Sequence, residues 1–345
     1  MSPAASAEEP PRHPLVRGPV ISSAGTSITA WALTTGEAGM RTQARGLAKA
    51  LTPNLVEKVV SVKWPWSWLP SGATAVLAGV DSAAGDTLAP PWPDLIVTCG
   101  RRSAILGVAV KKRAGGKPLL VHLQDPLAPL KHFDLVFPMA HDDLDGPKVH
   151  KVLTSLHDIT PARLAQAHDV WAKRLARLPR PLVGVLLGGP TRQKPFGVTE
   201  AEDLKDKLAA LRAQIGGGLA VVPSRRTPDE VLQVFQAAAE GDPAAWVWDR
   251  VGDNPYVGAL AVADRLVVTG DSVSMVSEAL ATDKPVEVFA GQMKKRHEGF
   301  VGALINAGHV RWFDGQATPA VQRTPIDTTA EAAAAVRRLL AERGF

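Results

Sequence analysis

Residues 264–289 read DRLVVTGDSVSMVSEALATDKPVEVF. A valine-rich apolar run ends at Thr269, Gly270 and Asp271 break it, and a small-residue loop leads into a helix-like stretch. Pro285 closes the helix and opens a second run, Val286–Phe289. Strand, loop, helix and strand in this order are the βαβ unit of a parallel sheet. Open α/β sheets keep their ligands beyond the carboxyl ends of the strands. There this chain places Asp271, Ser272 and Ser274, with one acid, Glu278, further along the helix.

Outward from that unit the alternation continues in both directions. ITAWAL (28–33) precedes a helical pattern at 40–51; DLIVTCG (94–100) precedes RRSAILGVAVKKRAGG; KPLLVHLQDP and FDLVFPM are further strands. TPARLAQAHDVWAKRLARL (160–178) carries Thr160 as helix cap and Pro161 at the first helical position. A second series starts at PLVGVLLGGPTR. Its helices are expected to open on capping boxes, Thr199 with Glu202 and Thr227 with Glu230. The pattern predicts an α/β protein of two Rossmann-like domains: a disordered tail at 1–26, a first domain at 27–158, a connecting helix at 159–180, a second domain at 181–325 and a C-terminal helix at 326–345.

Composition bounds the function. The chain has 345 residues, 46% of them apolar, with 39 Lys and Arg against 34 Asp and Glu. A mild basic excess suits a phosphorylated ligand or an anionic membrane surface. Aromatics are 5% and no aromatic–basic RNA motif occurs, so nucleic acid is not an expected partner. One cysteine, Cys99, precludes an internal disulfide and fits a reducing compartment. No leader and no long apolar run is read, so the expected place is the cytoplasm.

The candidate site lies in the loops after strands. Gly188 and Gly189 let a ligand approach the backbone, whose N–H groups can hold an anion, with Arg192 adding charge. Ser224 and Arg225 stand at a helix start, where paired arginines oppose the dipole unless an anion binds. Asp271, Ser272 and Ser274 offer donors to phosphate oxygens, and the Glu278 carboxylate can accept from a ribose diol. Capping the helix needs one such residue, not four. In the first domain, TTGEAG supplies Gly36 and Gly39 around Glu37 as an acceptor loop. It is not a full GxGxxG, so no dinucleotide cofactor is expected. Asp125 ends another strand toward the same cleft. HDDLDG (141–146) is an acidic turn, and no metal is expected there. Trp64, Trp66 and Trp68, beside Lys63 in a proline-rich loop, read as a peripheral anchor on the inner face of a membrane.

DLIVTCGRRSA, VHLQDP, FDLVFPMAHDDLDGP, LGGPTR, SRRTP and VTGDSVSMVSEALATDKPV together resemble the mitochondrial fission ELM family and its bacterial relatives, in order from about residue 30 to 315. The resemblance implies a GT-B-like fold, two facing Rossmann-type domains with parallel sheets and an interdomain cleft. The stretch Ser277, Glu278, Ala279, Ala281 and Pro285 is also similar to nucleotide-sugar transferases of that fold, in which the glutamate holds the ribose. Those enzymes have a glycine before the helix, where this chain has Ser272, Val273 and Ser274. What the resemblance implies is a metal-independent glycosyltransferase using a nucleotide-diphosphate sugar. Gly188, Gly189, Arg192, Ser224, Arg225, Asp271, Ser272, Ser274 and Glu278 would bind the donor, with Glu37 or Asp125 as base toward an envelope or lipid-linked glycan. A non-catalytic interaction protein and a nucleotide-sugar epimerase of the same fold are the alternatives.

Overall fold

The computed structural model describes residues 28–63, 80–191, 194–319 and 322–345. The tail at 1–26, Arg192 and the Trp64–Trp66–Trp68 anchor lie outside the described residues.

The first domain comprises β1 (Ala30–Thr34), α1 (Ala38–Leu51), β2 (Leu55–Val59), β3 (Leu95–Cys99), α2 (Arg101–Arg113), β4 (Leu119–Leu123) and β5 (Leu135–Phe137). The described strands pair in parallel in the order β2-β1-β3-β4-β5. β1, β3 and β4 are buried along their whole length. A parallel strand covered on both faces needs a continuous apolar run, and AWALT, LIVTC and LLVHL supply it. Ala30, Ala32, Leu95 and Val97 pack toward Leu47 of α1, while Trp31, Leu33 and Ile96 pack toward Leu106 and Val110 of α2.

The second sheet follows α3 (Pro161–Arg174). Its elements are β6 (Leu182–Leu187), α4 (Val198–Ile215), β7 (Gly218–Pro223), α5 (Asp229–Ala239), β8 (Ala245–Val247), α6 (Tyr256–Val262), β9 (Arg265–Thr269), α7 (Val273–Leu280), β10 (Val286–Phe289), α8 (Lys295–Asn306), β11 (Arg311–Trp312) and α9 (Thr328–Glu342). Strand order is β11-β10-β9-β6-β7-β8, again all parallel.

Thr160 caps α3 as its sequence predicts, its Oγ1 accepting from the Arg163 N–H at 3.2 Å. The two capping boxes are not formed. α4 starts at Val198, and Glu200 rather than Glu202 accepts from the Gly197 N–H at 2.9 Å. Thr227 lies one residue too early to cap α5; its hydroxyl instead accepts from the Ser224 N–H at 2.9 Å and donates to the Leu187 carbonyl at 3.0 Å.

The chain crosses between the domains twice. The outward crossing, residues 153–160, is held to α7 by the Ser155 N–H donating to Ser277 Oγ at 2.9 Å. The return crossing is held about one turn further on, at the carboxyl end of α7, by Arg323, which donates to the carbonyls of Leu280 and Thr282, each at 2.6 Å. α9 then lies on the first domain. Thr328 meets Thr154 at 2.6 Å, Thr329 Oγ1 accepts from the His157 N–H at 2.9 Å, and Val336 and Leu340 share a core with Ala44 and Leu47.

Both sheets turn their carboxyl edges to one another. A Cβ on Gly39, in the first turn of α1, would stand 3.0 Å from Ser274 Oγ at the start of α7. On the other side Arg296 of α8 donates to Asp142, after β5, at 2.8 Å.

Candidate functional site in the interdomain cleft

On the second domain the loops after β6, β7 and β9 are locked together. Thr269 Oγ1 accepts from the Gly188 N–H and donates to Asp271 Oδ1, both at 2.7 Å. Asp271 Oδ2 accepts from the Gly189 N–H at 3.0 Å and from Arg226 Nη2 at 2.8 Å. Arg226 also donates to the Gly189 and Pro190 carbonyls, and Ser224 Oγ to the Gly188 carbonyl at 2.9 Å.

This corrects the reading of the glycine loop. The N–H groups of Gly188 and Gly189 already donate within the protein, so they are not the anion's donors. The glycines are needed because the loops touch: a Cβ on Gly188 would stand 2.2 Å from the Asp271 carboxylate, and one on Gly189 2.2 Å from the Arg226 carbonyl. Asp271 is corrected with them. Its side chain is 4% exposed and carries the charge that orders Arg226, so it is a strut beneath the loops and would repel a phosphate.

Arg225, exposed and free of any hydrogen bond or ion pair among the described residues, is the arginine of the pair available to a ligand. Ser272 caps α7 through Met275 at 3.4 Å, and Ser274 faces Gly39 across the cleft. Glu37 stands at the start of α1, where its carboxylate accepts from Thr35 at 2.7 Å. Asp125 accepts from the Leu127 N–H at 2.8 Å, and its neighbour Gln124 reaches Gln43 of α1. Gly36 has φ +100°, a turn that requires glycine. Glu37, Asp125, Gly36 and Gly39 therefore all belong to the carboxyl edge of the first sheet.

Glu278 departs from its expected exposure. It lies in the second turn of α7, is 8% exposed, and accepts a short hydrogen bond from the Tyr256 hydroxyl. The surroundings are charged. Asp158 pairs with Arg45 at 2.9 Å and with Arg163. Burial raises the Glu278 pKa from 4.5 to about 7; Tyr256, Arg163 and Arg45 oppose the rise and Asp158 adds to it. The Tyr256 hydroxyl, buried against that carboxyl, is itself held well above its ordinary pKa. Glu278 is thus closed beneath α6, a helix the sequence reading did not contain.

A cationic stretch was also missed. In GQMKKRHEGF the cations end the short loop after β10 and open α8. Burial lowers the His297 pKa, and Lys294, Arg296 and Arg226 lower it further against the pull of Asp271. These groups therefore share one neighbourhood, at the strand ends that face the first domain. The signal was in the sequence: lysines and an arginine at a positive helix end are as unfavourable there as Arg225 and Arg226 are at α5. Among the described residues no group of three or more His, Cys, Asp or Glu could hold a metal ion, and no helix is long and apolar enough to cross a membrane. Asp142 of the acidic turn is taken by Arg296 and the Met139 N–H.

Two open parallel sheets facing by their carboxyl edges, with a polar cleft between, define a protein of the GT-B fold. Solved structures agree at the level of fold. UDP-GlcNAc 2-epimerase from Methanocaldococcus jannaschii superposes with a TM-score of 0.52 at 10% identity, covering 91% of this chain and 100% of that one. The Neisseria meningitidis UDP-GlcNAc 2-epimerase bound to UDP-GlcNAc gives 0.52 at 10% identity over 91% and 92%. The chain belongs to the mitochondrial fission ELM1 family, whose model matches residues 38–340. Mitochondrial fission protein ELM1 of Arabidopsis thaliana is 32% identical over 303 residues, 80% of this chain and 71% of that protein. An uncharacterised protein of Rickettsia prowazekii (strain Madrid E) is 27% identical over 267 residues, 66% and 73% of the two chains.

Proposed function

We propose that the chain binds a nucleotide-diphosphate sugar in the cleft and transfers its sugar as a metal-independent glycosyltransferase. The observation that carries this reading is the convergence of Lys294, Arg296, His297 and Arg226 with the capped start of α7 at the carboxyl edge of the second sheet, where exposed Arg225 adjoins Arg226 in the chain. A diphosphate is met there by side-chain cations and by helix N–H groups, with Ser272 and Ser274 as further donors. Cations of the protein take the place of a metal in balancing its charge. Ser224, Gly188, Gly189 and Asp271 hold the loops in shape, and Arg192 follows the same loop in sequence. The ribose diol replaces the Tyr256 hydroxyl on Glu278. An acceptor enters from the Gly36–Gly39 loop, with Glu37 or Asp125 removing its proton. A lipid-linked or envelope glycan fits if Trp64, Trp66 and Trp68 rest on the inner face of a membrane.

Two other readings have support. The likeness to UDP-GlcNAc epimerases favours epimerisation. The Tyr256–Glu278 bond favours an interaction protein that keeps the fold with its ribose site shut.

Thermal-shift and calorimetric titration with UDP, UDP-GlcNAc and other nucleoside diphosphates separate them. At a hundred times its Kd a ligand stabilises by about 2.7 kcal/mol, and this gain should vanish in Arg225→Glu with Lys294→Glu. Absence of any shift would leave the interaction protein. Binding without transfer to an acceptor would leave the epimerase.

A further inference from the structure

We infer that β8 is the seam of a homodimer, in which two copies join their second sheets edge to edge. Among the described residues β8 is the outer strand of its sheet and pairs only with β7, in parallel register. The Leu219 N–H donates to the Ala244 carbonyl and the Trp248 N–H to the Val221 carbonyl. The alternate residues Ala245 and Val247 therefore turn away from β7; the Ala245 N–H is taken by the Asp242 carbonyl at 3.2 Å, which leaves the Ala245 carbonyl and the Val247 N–H and carbonyl on the outer side. Edge strands are ordinarily blunted by lysine, proline or a covering loop. AWV has none of these among the described residues.

The edge is bordered by two grooves that share Trp246. One, of about 510 Å³, is lined by Trp171, Trp248, Arg174, Asp249 and Asp253; the other, of about 640 Å³, by Arg177, Gln233, Gln236 and Glu240. Val251, beside the first, is 73% exposed. Tryptophan and arginine around a desolvated centre are the residue types that anchor interfaces.

Charge identifies the occupant as a second copy. Glu240 lies at the amino end of β8, on the turn leading into it. Arg177 lies there too, since the start of β7 is tied to Pro179 at 3.0 Å. Asp249, Asp253 and Arg174 stand at the carboxyl end. Two copies related by a two-fold axis meet antiparallel, amino end against carboxyl end. Arg177 then faces Asp249 of the second copy, and Glu240 faces the cationic side of the ion pair that Arg174 and Asp253 make within each chain at 2.8 Å. Within one chain Arg177, Glu240 and Asp249 form no ion pair among the described residues. The surface is complementary to itself.

Sedimentation equilibrium without nucleotide tests this independently of the proposed activity. The mass should rise with concentration toward twice the chain mass of 36.5 kDa. Arg177→Glu or Asp249→Lys alone should weaken association about tenfold or more, and the two reversals together should restore it. Val247→Pro, which removes an outward N–H and leaves every charge in place, should give a folded monomer by circular dichroism. A wild-type chain that stays monomeric up to its solubility limit overturns the inference and leaves the edge to a foreign strand. A dimer indifferent to all three changes overturns it in favour of another face.

Discussion

Glu278→Gln puts the buried carboxyl to a quantitative test. An exposed glutamate releases its proton at about 4.5, whereas in the fold Glu278 does so at about 7. Between those values the unfolded chain is ionised while the folded chain still holds its proton. Stability contributed by this group is therefore complete below about pH 4.5 and falls as pH rises to about 7. Each factor of ten in the protonation equilibrium is about 1.4 kcal/mol, so the ionised group costs about 3 kcal/mol above neutrality. The amide of Glu278→Gln never ionises. Its oxygen can still accept from Tyr256, and its N–H groups can donate toward Asp158. Calorimetric melting at pH 5 and pH 8 is the assay. A kcal/mol moves the melting point about 2–4 °C for a domain of 150–250 residues, so the variant should melt roughly 6–12 °C above wild type at pH 8 and close to it at pH 5. The same substitution should weaken UDP binding if the carboxylate holds ribose, since hydrogen bonds to a charged group contribute about 1.5–3 kcal/mol. A variant that melts at or below wild type at pH 8 would refute the assignment of a strained, protonated carboxyl.

Tyr256→Phe removes the donor that ribose must displace, so UDP should bind more tightly by isothermal titration; unchanged or weaker binding would place the ribose elsewhere. Arg226→Ala leaves Asp271 buried with only Thr269 and the Gly189 N–H. Arg226 is half exposed, so the loss should stay near the lower end for a broken buried pair, about 2–3 kcal/mol by denaturant titration. Gly189→Ala should cost about 1–3 kcal/mol, because the new methyl meets the Arg226 carbonyl. A fully stable variant would show that the loops are slack. Arg296→Ala should change stability by less than about 1 kcal/mol, since the arginine is more than half exposed, yet widen the particle in small-angle scattering by freeing the Asp142 contact.

What the sequence showed and hid follows from physics local to each segment. LIVTC, LLVHL and LVGVLL read as strands because both their faces are buried. LVEKV of β2 did not, since on an edge strand Glu57 and Lys58 can take the two faces of the sheet and still find partners, Glu57 at Arg41 at 3.0 Å and Lys58 over the Trp31 ring. α6 was missed because its seven residues follow the loop VGDNP and are too few to show a period. That omission hid Tyr256, and with it the burial of Glu278. That one of Asp271, Ser272 and Ser274 would cap α7 was legible; that it is Ser272 was not, since all three are capping residue types. The roles of Gly188, Gly189 and Asp271 were not, because they depend on which distant loops touch. A Gly-Gly pair reads the same whether its N–H groups face a phosphate or an aspartate.

The two crossings have a mechanical consequence. A body joined at one point can swivel in any direction, whereas one hung at two points turns only about the line between them. Here both points lie on α7, one at Ser277 and the other at its carboxyl end through Arg323. The domains are in effect a door with two hinges on a single post, and α7 is the post. The axis of opening then runs along α7, whose amino-terminal end carries Ser272 and Ser274 at the gap, so whatever fills the gap there lies beside the hinge line.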